Sequence, residues 1–307
     1  MSSIINKLLS PISKVEWHVA YREKVCNDVD FTKNLGRFIP IKNSKRYWYA
    51  DPFLIDYSER TLLFVEMYDR LKRKGLLGYM DITEGVGSKF KKVYEYNCHL
   101  SYPNVFVKGN DLYCIPESSN SKKLLLLKWN KQRCEFDESK VLLDDMKIAD
   151  STFIHYNDKL YCLTTPIIDG DNISNLNLYE IVEGNFVPSS QNPVCDNKTK
   201  ARCGGKIQYS NDTLYRISQD CGNGYGSGLN IMRIDNLDND AYKETLVKKI
   251  LPNDIQIKGV DIVDGIHTYN TTDMYEVIDY KTNRSFSIIE CVGYLLGKCG
   301  LIKQERK

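Results

Sequence analysis

Short runs of apolar residues, each bounded by polar turn residues, recur along the middle of the chain. The runs LLFVE, LYCIP and LYCLT begin at Leu62, Leu112 and Leu160 and are rich in residues that favour β-strands. The triplets GND at 109–111 and YND at 156–158 precede two of these runs. Such residues tolerate the positive φ of a tight hairpin. Because long helical patterns are absent from this region, the pattern predicts paired antiparallel strands and an all-β fold.

The strand-turn-strand pattern repeats five times with a nearly constant period. Aligned on the second strand of each unit, the repeats are separated by 51, 48, 54 and 60 residues. A period of this size with several short strands is typical of a propeller blade, which buries its faces by stacking on other blades. The sequence therefore predicts a five-bladed β-propeller, and an irregular β-sandwich with coincidental spacing is the alternative. The anchors that define the period are Leu62, Tyr113, Tyr161, Tyr215 and Tyr275.

The two ends of the chain differ from the repeats. We expect the propeller to span residues 15–287, with short extensions at 1–14 and 288–307 that each contain an amphipathic helical pattern. These extensions either cover and close the propeller or make a peripheral contact with a membrane or a glycan-assembly partner. The second interpretation rests on basic residues, namely Lys7, Lys14, Lys298, Lys303, Arg306 and Lys307.

Composition excludes several classes of protein. The 307 residues carry 42 basic and 40 acidic side chains, and a net charge of +2 gives no electrostatic basis for nucleic-acid binding. The sequence has no apolar run long enough for a transmembrane helix and no signal-peptide pattern, so we expect a cytoplasmic protein. The ten cysteines contain no C-x-x-C pair and are expected to be reduced thiols. The four histidines lack metal-ligand spacing, so we expect no metal and no other cofactor.

The innermost strands of a propeller converge on its axis, and their ends line a central funnel. The first strand of each unit is the natural innermost strand, which places the polar residues beside its apolar run in the funnel. Converging carboxylates raise each other's pKa values, which suits acid–base chemistry, although some could instead be hydrogen-bond anchors between blades. The candidates are Asp51, Tyr102, Asp150 and His267 on first strands, and Glu66, Glu117 and Asp220 on second strands.

Other side chains complete the predicted funnel. Tyr225 lies in the glycine-rich loop GNGYGSG at 222–228, which is either a flexible hairpin or a cover over the funnel mouth. Its ring could stack on a sugar, as could that of Tyr102. Arg202, Lys206 and Arg216 are cations of the fourth unit that could bind phosphate together with two neighbouring glycines.

Two motifs resemble those of known carbohydrate-active propellers. YADPF at 49–53 and ADSTF at 149–153 look like the aspartate motifs of five-bladed propeller glycosidases of the arabinanase, xylosidase and invertase types. In those families the first Asp is the base or nucleophile, and the second holds the sugar and tunes the acid. The resemblance therefore implies these roles for Asp51 and Asp150.

A closer resemblance covers most of the chain, roughly residues 15–285. The ordered motifs WHVAYR, WYADPF, FVE, LSYP, PES, DSTF, GGK, YRISQD and YG are similar to the N-terminal domain of plant glucosamine inositolphosphorylceramide transferase. That domain also occurs alone in bacterial proteins that accompany surface-polysaccharide assembly. The resemblance implies a propeller fold and a role in polysaccharide or glycolipid assembly.

One departure from the glycosidase pattern bears on the mechanism. The general acid of those enzymes is a Glu on a later inner strand, whereas residues 200–206 here read KARCGGK. A phosphate leaving group needs positive charge rather than a proton, so we predict a glycosyltransferase-like enzyme with a sugar-phosphate or nucleotide-sugar donor. Asp51 would activate the acceptor, while Asp150 and Glu117 would hold the sugar. The alternatives are an inverting glycoside hydrolase with Glu117 as acid and a non-catalytic carbohydrate-binding module.

Overall fold

The computed structural model describes residues 15–87, 89–283 and 288–302. Five antiparallel sheets in a ring form a five-bladed β-propeller, which confirms the predicted fold class. The N-terminal extension 1–14 and the basic tail 303–307 lie outside the described residues, so the contacts expected of them stay predictions.

Each of the first four blades is built from strands that follow one another in the sequence. Two strands, β1 (Val15–Glu23) and β2 (Ile39–Ile41), precede blade I. Blade I contains β3 (Tyr47–Tyr57), β4 (Arg60–Asp69), β5 (Lys74–Asp81) and β6 (Lys91–Tyr94). Blade II contains β7 (Ser101–Lys108), β8 (Asp111–Glu117), β9 (Leu124–Asn130) and β10 (Glu135–Leu143).

The remaining blades follow the same order. Blade III contains β11 (Ile148–Tyr156), β12 (Lys159–Pro166), β13 (Asn175–Val182) and β14 (Asn185–Pro188), and β15 (Cys195–Asp196) also pairs with β13. Blade IV contains β16 (Gln208–Ser210), β17 (Thr213–Asp220), β18 (Gly228–Asn236) and β19 (Lys243–Ile250). Blade V combines β20 (Tyr269–Thr271) and β21 (Tyr275–Asn283) with β1 and β2.

The first strand of each repeat lies nearest the axis, as the sequence predicted. Strand β3 contacts β7, which in turn contacts β11, and β20 contacts β3 from the other side. The hairpins turn where Asn, Asp and Gly were expected to allow positive φ. Between β11 and β12, for example, Asn157 and Asp158 have φ values of 48° and 59°.

Apolar side chains fill the spaces between adjacent blades. Phe64 of blade I packs against Trp129 and Phe136 of blade II, with ring centroids 5.4 and 5.3 Å away. Burying one such ring contributes about 1.5–3 kcal/mol to the free energy of unfolding, so these contacts stabilise the packing of blade I on blade II. Small thiols share these spaces: Cys114 and Cys162 are fully buried, and all ten cysteines are free, as expected.

Blade V joins the two ends of the propeller. Strand β1 pairs with β21 over nine residue pairs that begin with Val15 opposite Asn283. A buried ion pair in the same sheet joins Arg22 Nε to Glu276 Oε2 at 2.5 Å. The ring is therefore closed by contacts between residues that are far apart in the chain, because the strand before the first repeat completes the fifth blade.

Within the described residues one α-helix, α1 (Ile288–Lys298), follows blade V. It packs on the turn between β4 and β5, where a Cβ added at Gly293 would lie 2.4 Å from the Leu71 carbonyl oxygen. Glycine alone allows so close an approach. No helix in the described part of the chain is long and apolar enough to cross a membrane.

Candidate functional site

Three inner strands share one irregularity near the axis. Asp51, Tyr102 and Asp150 have φ values of 47°, 44° and 49°, in the left-handed region that non-glycine residues seldom adopt. The strand pairing shifts register at each of these points. Such a bulge re-aims the side chain that it carries, and strain of this kind concentrates at functional sites.

In blade IV, a glycine with positive φ lies near the axis in place of such a bulged residue. Gly205 has a φ of 149°, and a Cβ there would lie 2.1 Å from the Tyr269 carbonyl oxygen. The adjacent Gly204 carbonyl oxygen accepts a hydrogen bond from the Tyr269 N–H at 2.9 Å. The GGK motif is therefore explained by the close approach of blades IV and V.

The Asp51 carboxylate lies between blades II and V. One oxygen accepts from the Tyr102 N–H at 3.0 Å, and the other accepts from the Thr268 hydroxyl at 2.8 Å. Its own N–H donates to Asp279 Oδ2 at 3.0 Å. Burial raises the pKa of Asp51 to about 7, although the nearby His267 lowers it. The group is thus fixed in direction and can change protonation near neutral pH.

His267 bridges the two aspartates. Its Nδ1 lies 2.6 Å from Asp279 Oδ2, and its Nε2 lies 3.4 Å from Asp51 Oδ1. Burial lowers the pKa of His267, but the charges of Asp279 and Asp51 outweigh burial and raise it overall. Trp17 stacks on the imidazole with ring centroids 3.9 Å apart. The ring therefore has a fixed plane and a charged partner on each side.

The same three side chains could hold a metal ion. Ligand atoms of Asp51, His267 and Asp279 all lie within 4.8 Å of one another, and carboxylate and imidazole suit several divalent cations. In the arrangement described here, His267 and Asp279 contact each other directly and balance each other's charge. The expectation of a metal-free site stays a prediction.

Arg202 joins the other two predicted carboxylates. Its Nε donates to Asp150 Oδ2 at 2.5 Å, and a terminal nitrogen donates to Glu117 Oε2 at 3.3 Å. The remaining nitrogen donates to the carbonyl oxygen of Asn172. Gln219 Nε2 donates to the same oxygen of Asp150 at 2.8 Å. Side chains from blades II, III and IV thus meet around one buried guanidinium.

Glu117 is a second carboxyl group whose pKa is raised, and it has the higher value of the two. Burial raises its pKa to about 8; Arg202 lowers it, and the charge and hydrogen bond of Asp150 raise it. Ser119 donates a hydrogen bond to Glu117 Oε1 at 3.0 Å. A protonated carboxyl group beside an ion pair is a suitable general acid.

The charge on Glu117 should make stability depend on pH. Its folded pKa lies above the unfolded value, so the stability that it contributes is lost as the pH rises from about 4.5 toward 8. We expect Glu117→Gln to stabilise the protein at pH 9 by about 1–3 kcal/mol and to leave stability unchanged at pH 4. Urea unfolding at both pH values measures this, with exposed Glu135→Gln as the control. An equal effect at pH 4 and pH 9 would contradict the raised pKa.

Tyr225 covers this cluster. Its ring lies 5.2 Å from Arg202 Cζ and packs edge-on against His267 at 5.2 Å between centroids. Burial raises the pKa of its phenol well above the usual range, although the residue as a whole is 41% exposed. The position agrees with the predicted cover over the funnel mouth.

Tyr102 was expected to stack on a sugar, and the structure places it elsewhere. The residue is completely buried, and its hydroxyl bonds to Gly205 N at 2.9 Å, Gly205 O at 3.0 Å and Thr152 Oγ1 at 2.8 Å. The side chain therefore reaches from blade II to Thr152 in blade III and to Gly205 before blade IV. The left-handed backbone at Tyr102 accompanies this buried position, in which the hydroxyl forms contacts between blades.

Removing the Tyr102 hydroxyl should therefore affect folding rather than binding. We expect Tyr102→Phe to lower the free energy of unfolding by about 1–3 kcal/mol, because it leaves buried backbone groups of Gly205 without a partner. Urea unfolding measures the loss, and calorimetric titration of a bound glycoside should give an unchanged affinity. The control is Tyr209→Phe at an exposed position. A loss of affinity without a loss of stability would restore the sugar-contact interpretation.

Two predicted phosphate ligands also lie outside the cluster. Lys206 Nζ donates to the Leu54 carbonyl oxygen at 2.6 Å, further along β3 than Asp51, and burial lowers its pKa to about 8. Arg216 is completely buried and forms a bidentate pair with Glu244 at 2.7 and 2.9 Å. Side chains alternate between the two faces of a sheet, so Arg216 and Gln219 lie on opposite faces of blade IV, and Arg216 meets Glu244 of the outer strand.

The same alternation of side chains determines which of two neighbours, Gln219 or Asp220, points toward the Arg202 cluster. Asp220 Oδ2 pairs with Lys249 at 2.5 Å, on the side of β17 away from Asp150. Gln219 instead reaches the cluster, where Asp220 was expected. The signal was present: Glu117 and Gln219 each follow the anchor tyrosine of their repeat by four residues.

Glu66 lies at the edge of the funnel in blade I. Its Oε1 is 3.2 Å from His99 Nε2, and its charge contributes to the raised pKa of Asp51. Of the predicted residues, the structure thus brings together a set that surrounds Asp51 and a set that surrounds Arg202. The first contains His267 and Glu66, and the second contains Glu117, Asp150 and Tyr225; Asp150 influences the pKa of Asp51 as well, which joins the two sets.

Solved structures share this fold at low sequence identity. An α-L-arabinofuranosidase from Podospora anserina, in complex with cellotriose, aligns with a TM-score of 0.58 at 10% identity, covering 81% of this chain and 96% of that chain. The catalytic domain of an α-L-arabinofuranosidase from Coprinopsis cinerea aligns with a TM-score of 0.56 at 8% identity, covering 89% and 99%. At this identity the likeness shows a shared propeller fold alone.

Sequence comparison gives a narrower result. Proteins named glucosamine inositolphosphorylceramide transferase 1 from Oryza sativa subsp. indica and Arabidopsis thaliana are 31% and 28% identical to this chain over 207 and 234 residues. The matches cover 64% and 72% of this chain but 28% and 30% of the relatives, so the chain spans less than a third of their length. The family model described as glucosamine inositolphosphorylceramide transferase 1, N-terminal, matches residues 40–279. The chain therefore belongs to the family of N-terminal domains of glucosamine inositolphosphorylceramide transferase 1.

Proposed function

We propose that this propeller is a carbohydrate-active enzyme that breaks a glycosidic bond in its central funnel, with Glu117 as the general acid. The observation that carries the proposal is that Glu117 and Asp150 both contact the buried guanidinium of Arg202. That contact places a protonated carboxyl group beside an ion pair, under an aromatic ring that can cover a sugar.

The chemistry would proceed between Glu117 and Asp51. Glu117 donates its proton to the leaving oxygen as the bond from that oxygen to the anomeric carbon breaks. Asp51 accepts a proton from the attacking hydroxyl, whose oxygen forms the new bond to the same carbon. Asp150, held by Arg202 and Gln219, accepts hydrogen bonds from sugar hydroxyl groups.

The positions of the cations change the donor expected from the sequence. A phosphate leaving group needs cations that are free to bind it, whereas Lys206 and Arg216 lie outside the cluster. All three nitrogen groups of Arg202 are already hydrogen-bonded. We therefore favour a glycoside donor, whose alkoxide leaving group Glu117 protonates. Hydrolysis and transfer to an acceptor then differ only in the molecule that attacks.

A non-catalytic sugar-binding module is the second candidate. Asp51 accepts from a backbone N–H of blade II, and Asp279 accepts from the backbone N–H groups of Asp51, His267 and Thr268. Carboxylates used in this way connect blades and need no catalytic role. Such a module would bind sugars and release no product.

Ligand binding tests the proposal first. The names of the relatives point to a glucosamine unit, so the probes are 4-nitrophenyl β-D-glucosaminide, 4-nitrophenyl α-L-arabinofuranoside and UDP-N-acetylglucosamine. We expect a 4-nitrophenyl glycoside to raise the melting temperature of the wild type and to release 4-nitrophenol. Asp150→Asn should abolish the shift, whereas exposed Asp137→Asn should preserve it.

Three outcomes distinguish the candidates. A shift without release of 4-nitrophenol favours the binding module. A shift with UDP-N-acetylglucosamine alone, lost in Arg202→Gln, restores the phosphate donor. A wild type that no probe shifts, or equal shifts in Asp150→Asn and Asp137→Asn, contradicts a sugar site at this cluster.

A further inference from the structure

Helix α1 turns one side toward blade I. Glu290, Cys291 and Gly293 are buried there, and Gly293 lies directly against the backbone of Leu71 in the turn between β4 and β5. The Glu290 carboxylate is 3.9 Å from the guanidinium of Arg70 in the same turn. The helix is therefore fixed on the propeller, and its opposite side faces outward.

The outward side of α1 is apolar. Ile288, Val292 and Leu295 are 73%, 44% and 54% exposed, and their spacing of four and three residues places them in one stripe. The two charged residues of the helix, Glu290 and Lys298, lie off this stripe because successive residues rotate by about 100°. A solvent-facing helix side normally carries the charged residues, so this stripe indicates an interaction surface.

A basic cluster begins in the turn of blade I on which α1 packs. Lys72, Lys74 and Lys92 surround Glu95, with Nζ–Oε distances of 2.7, 3.2 and 3.3 Å. Burial raises the pKa of Glu95, but the three lysines outweigh burial and lower it to about 2. Three positive charges therefore share one negative charge, which leaves an excess of two.

The turn that carries part of this cluster also contacts the helix. Arg73 Cζ lies 5.5 Å from the centroid of the Tyr294 ring, and Lys298 Nζ lies 5.6 Å from the same ring. Positive groups of blade I and of α1 thus lie on the same helix that carries the apolar stripe. The sequence continues with Lys303, Arg306 and Lys307 immediately afterwards.

We propose that the stripe of Ile288, Val292 and Leu295 and the lysine cluster of blade I bind the surface of an anionic lipid bilayer. Apolar side chains of a helix that lies in the interface enter the boundary between headgroups and acyl chains, while neighbouring ammonium groups contact lipid phosphates. A second copy of this chain is a weaker candidate, because the same positive cluster would face itself across a symmetric contact.

The position of this surface bears on the funnel. Strand β4 ends and β5 begins at the end of blade I that carries Asp51 and Glu66, and α1 packs on the turn between them. The lipid-binding surface therefore lies at the same end of the propeller as the mouth of the funnel. A chain bound in this way would open its funnel toward the bilayer.

Vesicle co-sedimentation tests the proposal with the 307-residue chain. The probes are vesicles of phosphatidylcholine alone and of phosphatidylcholine with phosphatidylserine at three to one. We expect binding to the anionic vesicles, with an affinity that falls as salt rises. Val292→Glu with Leu295→Glu should reduce the partition coefficient at least tenfold, and Lys72→Gln with Lys92→Gln should reduce it about fivefold per lysine.

The matched control is Leu246→Glu with Val247→Glu, two comparably exposed apolar residues on the outer strand of blade IV. This variant should bind the vesicles as the wild type does. Circular dichroism should show that all three double variants are folded. A wild type that does not sediment with anionic vesicles overturns the proposal. So does an equal loss in the control, or light scattering that shows a wild-type dimer converted to a monomer by Val292→Glu with Leu295→Glu. Release of 4-nitrophenol from glycosides is independent of these outcomes.

Discussion

Replacing Glu117 by Gln should lower the rate of glycoside cleavage by about 10²–10⁴-fold, because the variant has no proton to donate to the leaving oxygen. The loss should depend on the leaving group. The leaving group of a 2,4-dinitrophenyl glycoside is 2,4-dinitrophenolate, a stable anion that needs little protonation. The variant should therefore cleave this substrate at a nearly unchanged rate. Steady-state rates with alkyl and 2,4-dinitrophenyl glycosides of the same sugar measure the difference.

The pH profile provides a second readout of the same variant. The wild-type rate should fall as the pH rises through about 8, where Glu117 loses its proton, and Glu117→Gln should lack this limb. The control is Glu135→Gln on the exposed outer strand of blade II. Equal losses on both leaving groups would assign Glu117 to sugar binding and exclude it as the acid.

The largest effect on stability should come from Arg216. Replacing it with Met leaves the buried Glu244 carboxylate unpaired and removes the donors to the carbonyl oxygens of Lys200 and Ala201. We expect Arg216→Met to lower the free energy of unfolding by about 3–5 kcal/mol. Replacing both partners, as Arg216→Met with Glu244→Met, should recover a substantial part of the loss because no unpaired charge remains.

Urea unfolding measures these changes, with an exposed ion pair for comparison. Arg233→Ala removes a contact of 2.7 Å with Asp235 on the surface of blade IV and should cost less than about 1 kcal/mol. If Arg216→Met were no more destabilising than Arg233→Ala, the Arg216 pair would not stabilise the blade. Glycoside binding by Arg216→Met, measured where the variant is folded, should equal that of the wild type.

The architecture follows from features that act over a few residues. β-branched and aromatic runs favour strands, and Asn, Asp and Gly close the hairpins, so each repeat specifies its own strands. The period then requires five such units to stack. The closure of blade V could not be predicted from the sequence, because Val15 pairs with Asn283 and these residues share no local pattern.

The alternation of side chains along strands also identifies the axis-facing positions. The fourth residue after each anchor lies on the same side of its strand as the anchor. Applied to all five repeats, this rule selects Glu66, Glu117, Thr165, Gln219 and Asp279. It includes the two residues, Gln219 and Asp279, that bond to Asp150 and Asp51.

The sequence by itself thus determined the blades, their number and the carboxylates near the axis, since these depend on strand propensity and on a period of two. The tertiary structure alone decided which cation meets those carboxylates. Arg202 and Arg216 carry the same guanidinium group and both belong to the fourth repeat, yet one reaches Asp150 and the other Glu244. The left-handed backbone of Tyr102, whose hydroxyl contacts Gly205, could not be predicted from the sequence either. Contacts across the axis depend on how distant blades are rotated and spaced, and no short stretch of sequence encodes that geometry.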